Sequence, residues 1–99
     1  MSADLKIIIE KAWEDRSLLQ DKVTIEAIEF AIEELDKGRL RCAEPLPNGD
    51  WQVNDWVKKA VILYFPLRKM DTLEAGIFEY NDKMDLKRDY AAQGIRVVP

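Results

Sequence analysis

Residues 55–65, with the sequence DWVKKAVILYF, contain the feature that decides the fold. When this segment is drawn as a helix, its apolar side chains occupy more than one face, which is typical of a helix covered on several sides. Asn54 or Asp55 is placed to cap its start, and Pro66 predicts that the helix ends or kinks near Phe65. We therefore expect a central helix against which the rest of the chain packs.

Two amphipathic helices are predicted before this segment. The first is indicated by apolar residues at helical spacing, namely Leu5, Ile8, Ile9, Ala12 and Trp13. The second is predicted from about Thr24 to Lys37, with Gly38 placed to end it. Its apolar stripe consists of Ile25, Ile28, Ile32 and Leu35. Phe30 falls on the opposite face, either as a partly covered surface residue or as a contact with another chain or domain.

A β-hairpin is predicted between the second helix and the third. Its strands are Leu40–Leu46 and Trp51–Val53, and the turn between them contains Asn-Gly, which supplies the positive φ angles of a tight turn. Within the first strand, Cys42 is predicted to be a small buried residue. Trp51 and Trp56 are predicted to be core or hairpin-packing residues.

The remainder of the chain has weaker patterns. Residues 67–87 show no dependable period, so we expect an irregular, partly extended segment, followed by a short helical turn at Asp89–Gln93 that Gly94 closes. The last six residues, GIRVVP, predict a strand that contains Arg96. The expected fold is therefore mainly α (α+β), a single domain over residues 1–99 with three main helices, a β-hairpin and a terminal strand.

Composition excludes several classes of protein. A net charge of −4 and a pI near 4.8 argue against nucleic acid as a partner, because binding to phosphate backbones requires a basic field. Histidine is absent, and Cys42 is the single cysteine, so neither a zinc site nor an internal disulfide is expected. The longest apolar run, Ala60–Pro66, is far shorter than the roughly 20 residues of a membrane span. Without a secretory leader, we expect a cytoplasmic protein.

Arg96 lies between Ile95 and Val97, and its residue type leaves two interpretations open. A guanidinium is rarely buried alone, so it either points to solvent, free or salt-bridged to one of the acidic residues, or it meets an anion. The glutamates of the two predicted amino-terminal helices give no sign of an acid–base pair. No catalytic residue is predicted within the chain.

Three separated segments resemble the amino-terminal domain of the tetrahydrodipicolinate N-succinyltransferase family. They are residues 35–44 (LDKGRLRCAE), 51–63 (WQVNDWVKKAVIL) and 94–99 (GIRVVP), and the resemblance runs from about Leu5 to Pro99. It implies an enzyme of bacterial lysine and diaminopimelate biosynthesis. Such an enzyme transfers a succinyl group from succinyl-CoA, its co-substrate, to the amine of hydrated tetrahydrodipicolinate, and no further cofactor is expected.

The resemblance also implies a homotrimer whose catalytic body is a left-handed parallel β-helix of hexapeptide repeats, with active sites between neighbouring subunits. The sequence contains no such repeat. We therefore expect that the terminal strand would lead into a β-helix absent from this chain, and that residues 1–99 alone are inactive.

Arg96 takes the position of a substrate-binding arginine in the family's Gly-x-Arg-Val-Val-Pro segment. This role suits a guanidinium, whose planar donor fork matches a carboxylate of the dicarboxylate substrate. Lys58 and Lys59 either steer coenzyme A phosphates or form a solvated helix face. The alternative from another class is a free-standing helical interaction module without catalysis. An obligate oligomer of the isolated chain would favour that module, whereas a monomer or weak associate would favour the enzyme fragment.

Overall fold

The computed structural model describes residues 2–99. Its elements in chain order are α1 (Ser2–Glu14), a 3-10 helix (Arg16–Gln20), α2 (Lys22–Asp36), β1 (Ala43–Pro45), β2 (Trp51–Val53), α3 (Asp55–Leu67), β3 (Asp71–Ala75) and β4 (Phe78–Asp82). The mainly α class with three main helices is confirmed. The chain forms two compact units: the first, here called the helical unit, ends at Lys69, and the second, the hairpin unit, is Met70–Pro99. The prediction of one domain over residues 1–99 stays a prediction.

The core of the helical unit lies where α1, α2 and α3 pack against one another. Its buried members are Ile9, Ala12, Ile28, Ala31, Trp56, Val57, Ala60, Leu63 and Tyr64. Five of these belong to α3, which confirms the prediction of a central helix covered on several sides. On α2 the buried face is centred on Thr24, Ala27, Ile28 and Ala31, while Ile25, Ile32 and Leu35 are only half-buried at its edge. Small residues at the centre of this face allow the helices to approach closely.

The exit from α2 is fixed by hydrogen bonds around a glycine. Gly38 has a φ of +76°, which reverses the chain with little steric cost, and the Arg39 amide donates to the Glu34 carbonyl at 2.9 Å. The Arg39 side chain then returns to the same residue, with Nε and Nη2 donating to Oε2 and Oε1 of Glu34, each at 2.9 Å. These hydrogen bonds hold the pKa of Glu34 below its usual value and raise the pKa of Arg39. Gly38 therefore ends α2 as predicted.

The first hairpin is shorter than predicted. Its antiparallel register pairs Ala43 with Val53 and Pro45 with Trp51. The turn forms with Gly49 at φ +92° and the Asn48 Oδ1 accepting from the Asp50 amide at 3.0 Å, but Asn48 has no positive φ, so the predicted positive φ is confirmed for the glycine alone. The predicted strand Leu40–Leu46 was wrong in its extent, because Trp51–Val53 supplies only three partner positions.

Two side chains of this hairpin differ from their predictions. Cys42 precedes β1 and is exposed, so its prediction as a buried residue was wrong. Trp51 is 65% exposed, whereas Trp56, on α3, is 6% exposed and belongs to the core. The physical reason is the same for both exposed residues: a two-stranded ribbon of three pairs has no layer packed over it at these positions.

The carboxyl end of α3 lies two residues beyond Phe65. Pro66 is accommodated in the last turn, and the helix ends when the Arg68 amide donates to the Phe65 carbonyl at 3.2 Å. Met70 and Asp71 then enter a second antiparallel hairpin with five paired positions. The prediction of an irregular segment over residues 67–87 was therefore wrong for β3 and β4.

The last part of the hairpin unit forms the predicted helical turn. Gln93 donates from its amide to the Asp89 carbonyl at 3.2 Å, and the Ile95 amide donates to the Tyr90 carbonyl at 2.9 Å. Gly94, at φ +71°, closes the turn. Residues 95–99 pair with no strand of the described chain, so the terminal strand expected there is not formed. Its amide and carbonyl groups would need a partner strand to form a ladder.

Candidate functional site

Arg96 follows directly from the turn that closes at Gly94. The Ile95 amide is held by the Tyr90 carbonyl, and the Gly94 amide donates to the Ala91 carbonyl at 3.1 Å. These bonds fix the backbone immediately before Arg96, while the arginine side chain itself is exposed. The local sequence thus presents a guanidinium at the start of an extended segment.

Within residues 2–99, the Arg96 guanidinium has no ion pair or hydrogen bond. Arg39 is the useful contrast, because its fork is occupied by both oxygens of Glu34. The exposure of Arg96 fits an arginine that points to solvent, whereas its interpretation as a salt-bridged linker residue has no support in the described part of the chain. A guanidinium without a partner can donate two parallel hydrogen bonds to the two oxygens of a carboxylate.

The paired lysines at the start of α3 differ from each other. Lys58 is exposed, whereas the half-buried Lys59 has its Nζ 5.7 Å from the centroid of the Trp13 ring. The guanidinium of Arg16 lies 4.8 Å from the same ring centroid. Cations over an indole face stabilise local packing. Lys59 thus has a structural role within the helical unit, and Lys58 belongs to a solvated helix face.

Asn54 is a residue whose importance the sequence did not predict. It occupies the position before α3, as expected for a cap, but its side chain extends back toward the first hairpin. Its Nδ2 donates to the Arg41 carbonyl at 2.8 Å and to Glu44 Oε1 at 3.3 Å, and its Oδ1 accepts from Gln52 Nε2 at 3.0 Å. Asn54 is 9% exposed, so these bonds satisfy a buried amide. The sequence signal for this role was the polar Asn54 itself, which follows the strand residue Val53 and lies close to the core residue Trp56.

Each unit has a concave surface. In the helical unit, a cavity of about 320 Å³ is lined by residues that include Lys6, Arg39, Arg41 and Trp56. In the hairpin unit, a cavity of about 370 Å³ lies on one side of β3 and β4. Arg96 lines neither cavity.

The chemistry of the described residues is limited. Phe30 is 37% exposed, as expected for a residue off the buried face of α2. Residues 2–99 contain no group of three or more acidic, cysteine or histidine side chains arranged to hold a metal ion. In the same range, no helix has both the length and the hydropathy required to cross a bilayer. The arrangement can offer an anion-binding guanidinium, and the described chain assembles no further reactive group around it.

Comparison with known proteins places these features in context. Residues 4–67 match the family model described as "Tetrahydrodipicolinate N-succinyltransferase N-terminal". The chain is 46% identical over 110 aligned residues to the 2,3,4,5-tetrahydropyridine-2,6-dicarboxylate N-succinyltransferases of Paraburkholderia phytofirmans and Paraburkholderia xenovorans. The enzyme of the same name from Paraburkholderia phymatum is 44% identical. Each alignment covers 100% of this chain, which spans about 40% of the length of these curated relatives.

Proposed function

The chain belongs to the tetrahydrodipicolinate N-succinyltransferase amino-terminal family, and from this membership we propose that it is the amino-terminal part of such an enzyme. The full-length protein would transfer a succinyl group from succinyl-CoA to the amine of hydrated tetrahydrodipicolinate, a step of lysine and diaminopimelate biosynthesis. The observation that carries the proposal is similarity along the whole chain to relatives that bear this name. Family membership gives no support to a free-standing interaction module.

Arg96 is the residue of this chain proposed to bind substrate. Its exposed and unpaired guanidinium supports this role, because the fork is free to donate two hydrogen bonds to one carboxylate of the dicarboxylate. A charge-assisted bond of this kind contributes about 1.5–3 kcal/mol. Binding one end of the substrate would also orient its amine toward the thioester carbonyl carbon.

The chemical step requires groups beyond Arg96. The amine nitrogen attacks the thioester carbonyl, the carbon–sulfur bond breaks, and coenzyme A leaves as a thiol that takes up the proton lost by the amine. A base for the amine and donors for the tetrahedral oxyanion are needed. We propose that both belong to a part of the full-length protein outside residues 1–99, so that this chain contributes a wall of the dicarboxylate site.

The remaining properties follow from the same proposal. The full-length enzyme would be a cytoplasmic homotrimer built around a left-handed β-helix of hexapeptide repeats, with no cofactor besides the succinyl-CoA co-substrate. The isolated chain of 99 residues would be a monomer or weak associate without transferase activity. Sedimentation of the isolated chain measures the first of these expectations, and a thiol-release assay measures the second.

The decisive experiment is the substitution Arg96→Lys in the full-length protein. Lysine keeps the charge but loses the two-pronged fork, so we expect the KM for the dicarboxylate to rise roughly tenfold. The KM for succinyl-CoA and the melting temperature should change little. Arg41→Lys, an exposed arginine of the helical unit, is the matched control and should leave both KM values unchanged.

Two outcomes separate the parts of the proposal. If the unmodified full-length protein releases no coenzyme A in the presence of both substrates, the proposed reaction is wrong. If it is active but Arg96→Lys has unchanged steady-state kinetics, the reaction stands and the role of Arg96 is wrong.

A further inference from the structure

The second hairpin has two chemically different sides. Its register places Leu73 opposite Tyr80 and Ala75 opposite Phe78. Because side chains alternate along a strand, these four residues share one side, here called the apolar hairpin face. The other side contains Thr72, Glu74, Glu79 and Asn81. This alternation is the pattern of a sheet in which one side is covered and the other is solvated.

Within the hairpin unit, the apolar hairpin face is nevertheless exposed. Leu73 is 40% exposed, Tyr80 is 48% exposed and Phe78 is 61% exposed. No described residue of Met70–Pro99 is buried. A hairpin of two strands is at best marginally stable alone, and a contiguous exposed apolar surface indicates an interaction site.

The shape of this surface suits an inserted side chain. Leu73 and Tyr80 line the cavity of about 370 Å³, and Met84 and Leu86, from the segment after β4, complete its apolar lining. An anchor side chain packed into such a pocket excludes water from the surfaces around it. The cavity is therefore better suited to one inserted apolar side chain than to a flat partner surface.

The charges beside the cavity restrict what accompanies that group. Three acids, Asp71, Asp82 and Asp85, line the cavity with one base, Arg88, so the lining keeps a net negative charge. Asp71 and Asp82 lie directly opposite each other in the hairpin register. Facing like charges destabilise an antiparallel pair, and neither aspartate forms an ion pair with another residue of the described chain. A cation from the occupant would remove this repulsion. The complementary surface is thus apolar with a lysine or arginine beside it.

We propose that this cavity and the apolar hairpin face are the docking site for a segment of the full-length protein that lies outside residues 1–99. That segment would pack a bulky apolar side chain against the paired Leu73 and Tyr80 and place a lysine or arginine against Asp71 and Asp82. The inference rests on the proposed function, according to which this chain is part of a longer protein. Most of the length of the matched relatives lies outside the region that this chain covers. Docking would then stabilise the hairpin unit, which contains Arg96.

Hydrogen exchange measured on two chains tests the proposal. In residues 1–99 alone, the amides of β3 and β4 should exchange rapidly. In the full-length protein without substrates, they should exchange at least tenfold more slowly, because opening of the hairpin then requires undocking. Protection of α1, α2 and α3 in the same spectra verifies that both proteins are folded.

A pair of variants on one strand identifies the docking side. Leu73→Asp in the full-length protein should remove the slow exchange, because it places a charge in the cavity beside Asp71. Thr72→Asp introduces the same side chain on the opposite side of β3 and should retain it. Protection that persists in the Leu73 variant, or equal loss in both variants, would overturn the assigned docking side.

Other outcomes exclude different occupants. Protection of the hairpin in residues 1–99 that increases with protein concentration would assign the face to a second copy of this chain and overturn the proposal. Equal exchange in the two chains would overturn it as well. An inactive full-length protein with a protected hairpin would contradict the proposed reaction and leave the docking site intact.

Discussion

The two units of this chain use similar side chains to different effect. Leu63 in the helical unit is completely buried, whereas Leu73 in the hairpin unit is 40% exposed. Three helices enclose a core because their apolar faces converge from three directions, while a two-stranded ribbon has only one apolar side and nothing in its own structure to cover it. Apolar content therefore does not define a core; the number of packed layers does.

The two hairpins extend this comparison. The first hairpin is tied to α3 through the buried side chain of Asn54, which reaches Arg41, Glu44 and Gln52. The second hairpin has a longer ladder of five pairs, but all ten of its strand residues are exposed. The first hairpin is thus distinguished by a buried polar side chain at its junction with α3 and not by burial of its strands, because five of its six strand residues are exposed as well.

The largest effect should come from Leu63→Ala. Removing a completely buried leucine side chain loses its transfer free energy and leaves a cavity, so we expect the free energy of unfolding to fall by about 2–5 kcal/mol. The matched change Leu73→Ala should cost less in the isolated chain, about 1 kcal/mol, because that residue is already 40% exposed. Urea unfolding followed by the helical circular dichroism signal measures Leu63→Ala, and hydrogen exchange of the β3 and β4 amides measures Leu73→Ala. Equal losses would show that the two leucines are covered alike.

A smaller effect is expected from Asn54→Asp. The aspartate cannot donate to the Arg41 carbonyl, and it places a carboxylate beside Glu44, so the free energy of unfolding should fall by about 1–3 kcal/mol. Gln20→Glu, which changes an exposed amide of the helical unit to an acid, is the control and should change it by no more than about 0.5 kcal/mol. Thermal melts of the two variants provide the measurement. If Asn54→Asp leaves the free energy of unfolding unchanged, water replaces the hydrogen bonds of the buried amide without a loss of stability.

The smallest effect concerns the pH dependence of the helical unit. The hydrogen bonds from Arg39 lower the pKa of Glu34 in the folded state. Glu34 therefore contributes stability above the pKa it has in the unfolded chain, and this contribution is lost as the pH falls through its lowered folded value. The loss should be small because the pair is solvated. Glu34→Gln and Arg39→Gln should each flatten the acid limb of a stability–pH profile.

A double variant provides the control for this pair. Glu34→Gln combined with Arg39→Gln should give the same profile as either single variant, because each change already removes the interaction. Separate additive effects would mean that the two residues act through different partners.

Sequence patterns predicted the helical unit well for a physical reason. A stripe at helical spacing is a long signal, and the buried residues of α1 and α3, such as Ile9 and Leu63, lie on the predicted faces. The second hairpin escaped prediction because its alternation is interrupted after Ala75 by the turn residues Gly76 and Ile77, which leaves two short runs. The prediction for Cys42 was wrong because the strand was predicted to begin at Leu40, whereas β1 begins at Ala43.

The candidate site was less accessible to residue patterns. Composition left Arg96 either as a solvated or salt-bridged residue or as an anion-binding one, and only the resemblance to a family assigned it to substrate. The structure adds its exposure and its lack of a partner within the described chain. Asn54 was expected to cap α3, and its bonds to the preceding hairpin depend on tertiary geometry that no local pattern encodes.

The distribution of aromatic residues makes the two units optically separable. Trp13, Trp51 and Trp56 all precede Lys69, whereas Tyr80 and Tyr90 lie after it. Indole emission therefore comes only from the helical unit, with Trp56 in an apolar environment and Trp51 in contact with water. A fluorescence melt of this chain would track the three-helix core and be blind to the unit that contains Arg96.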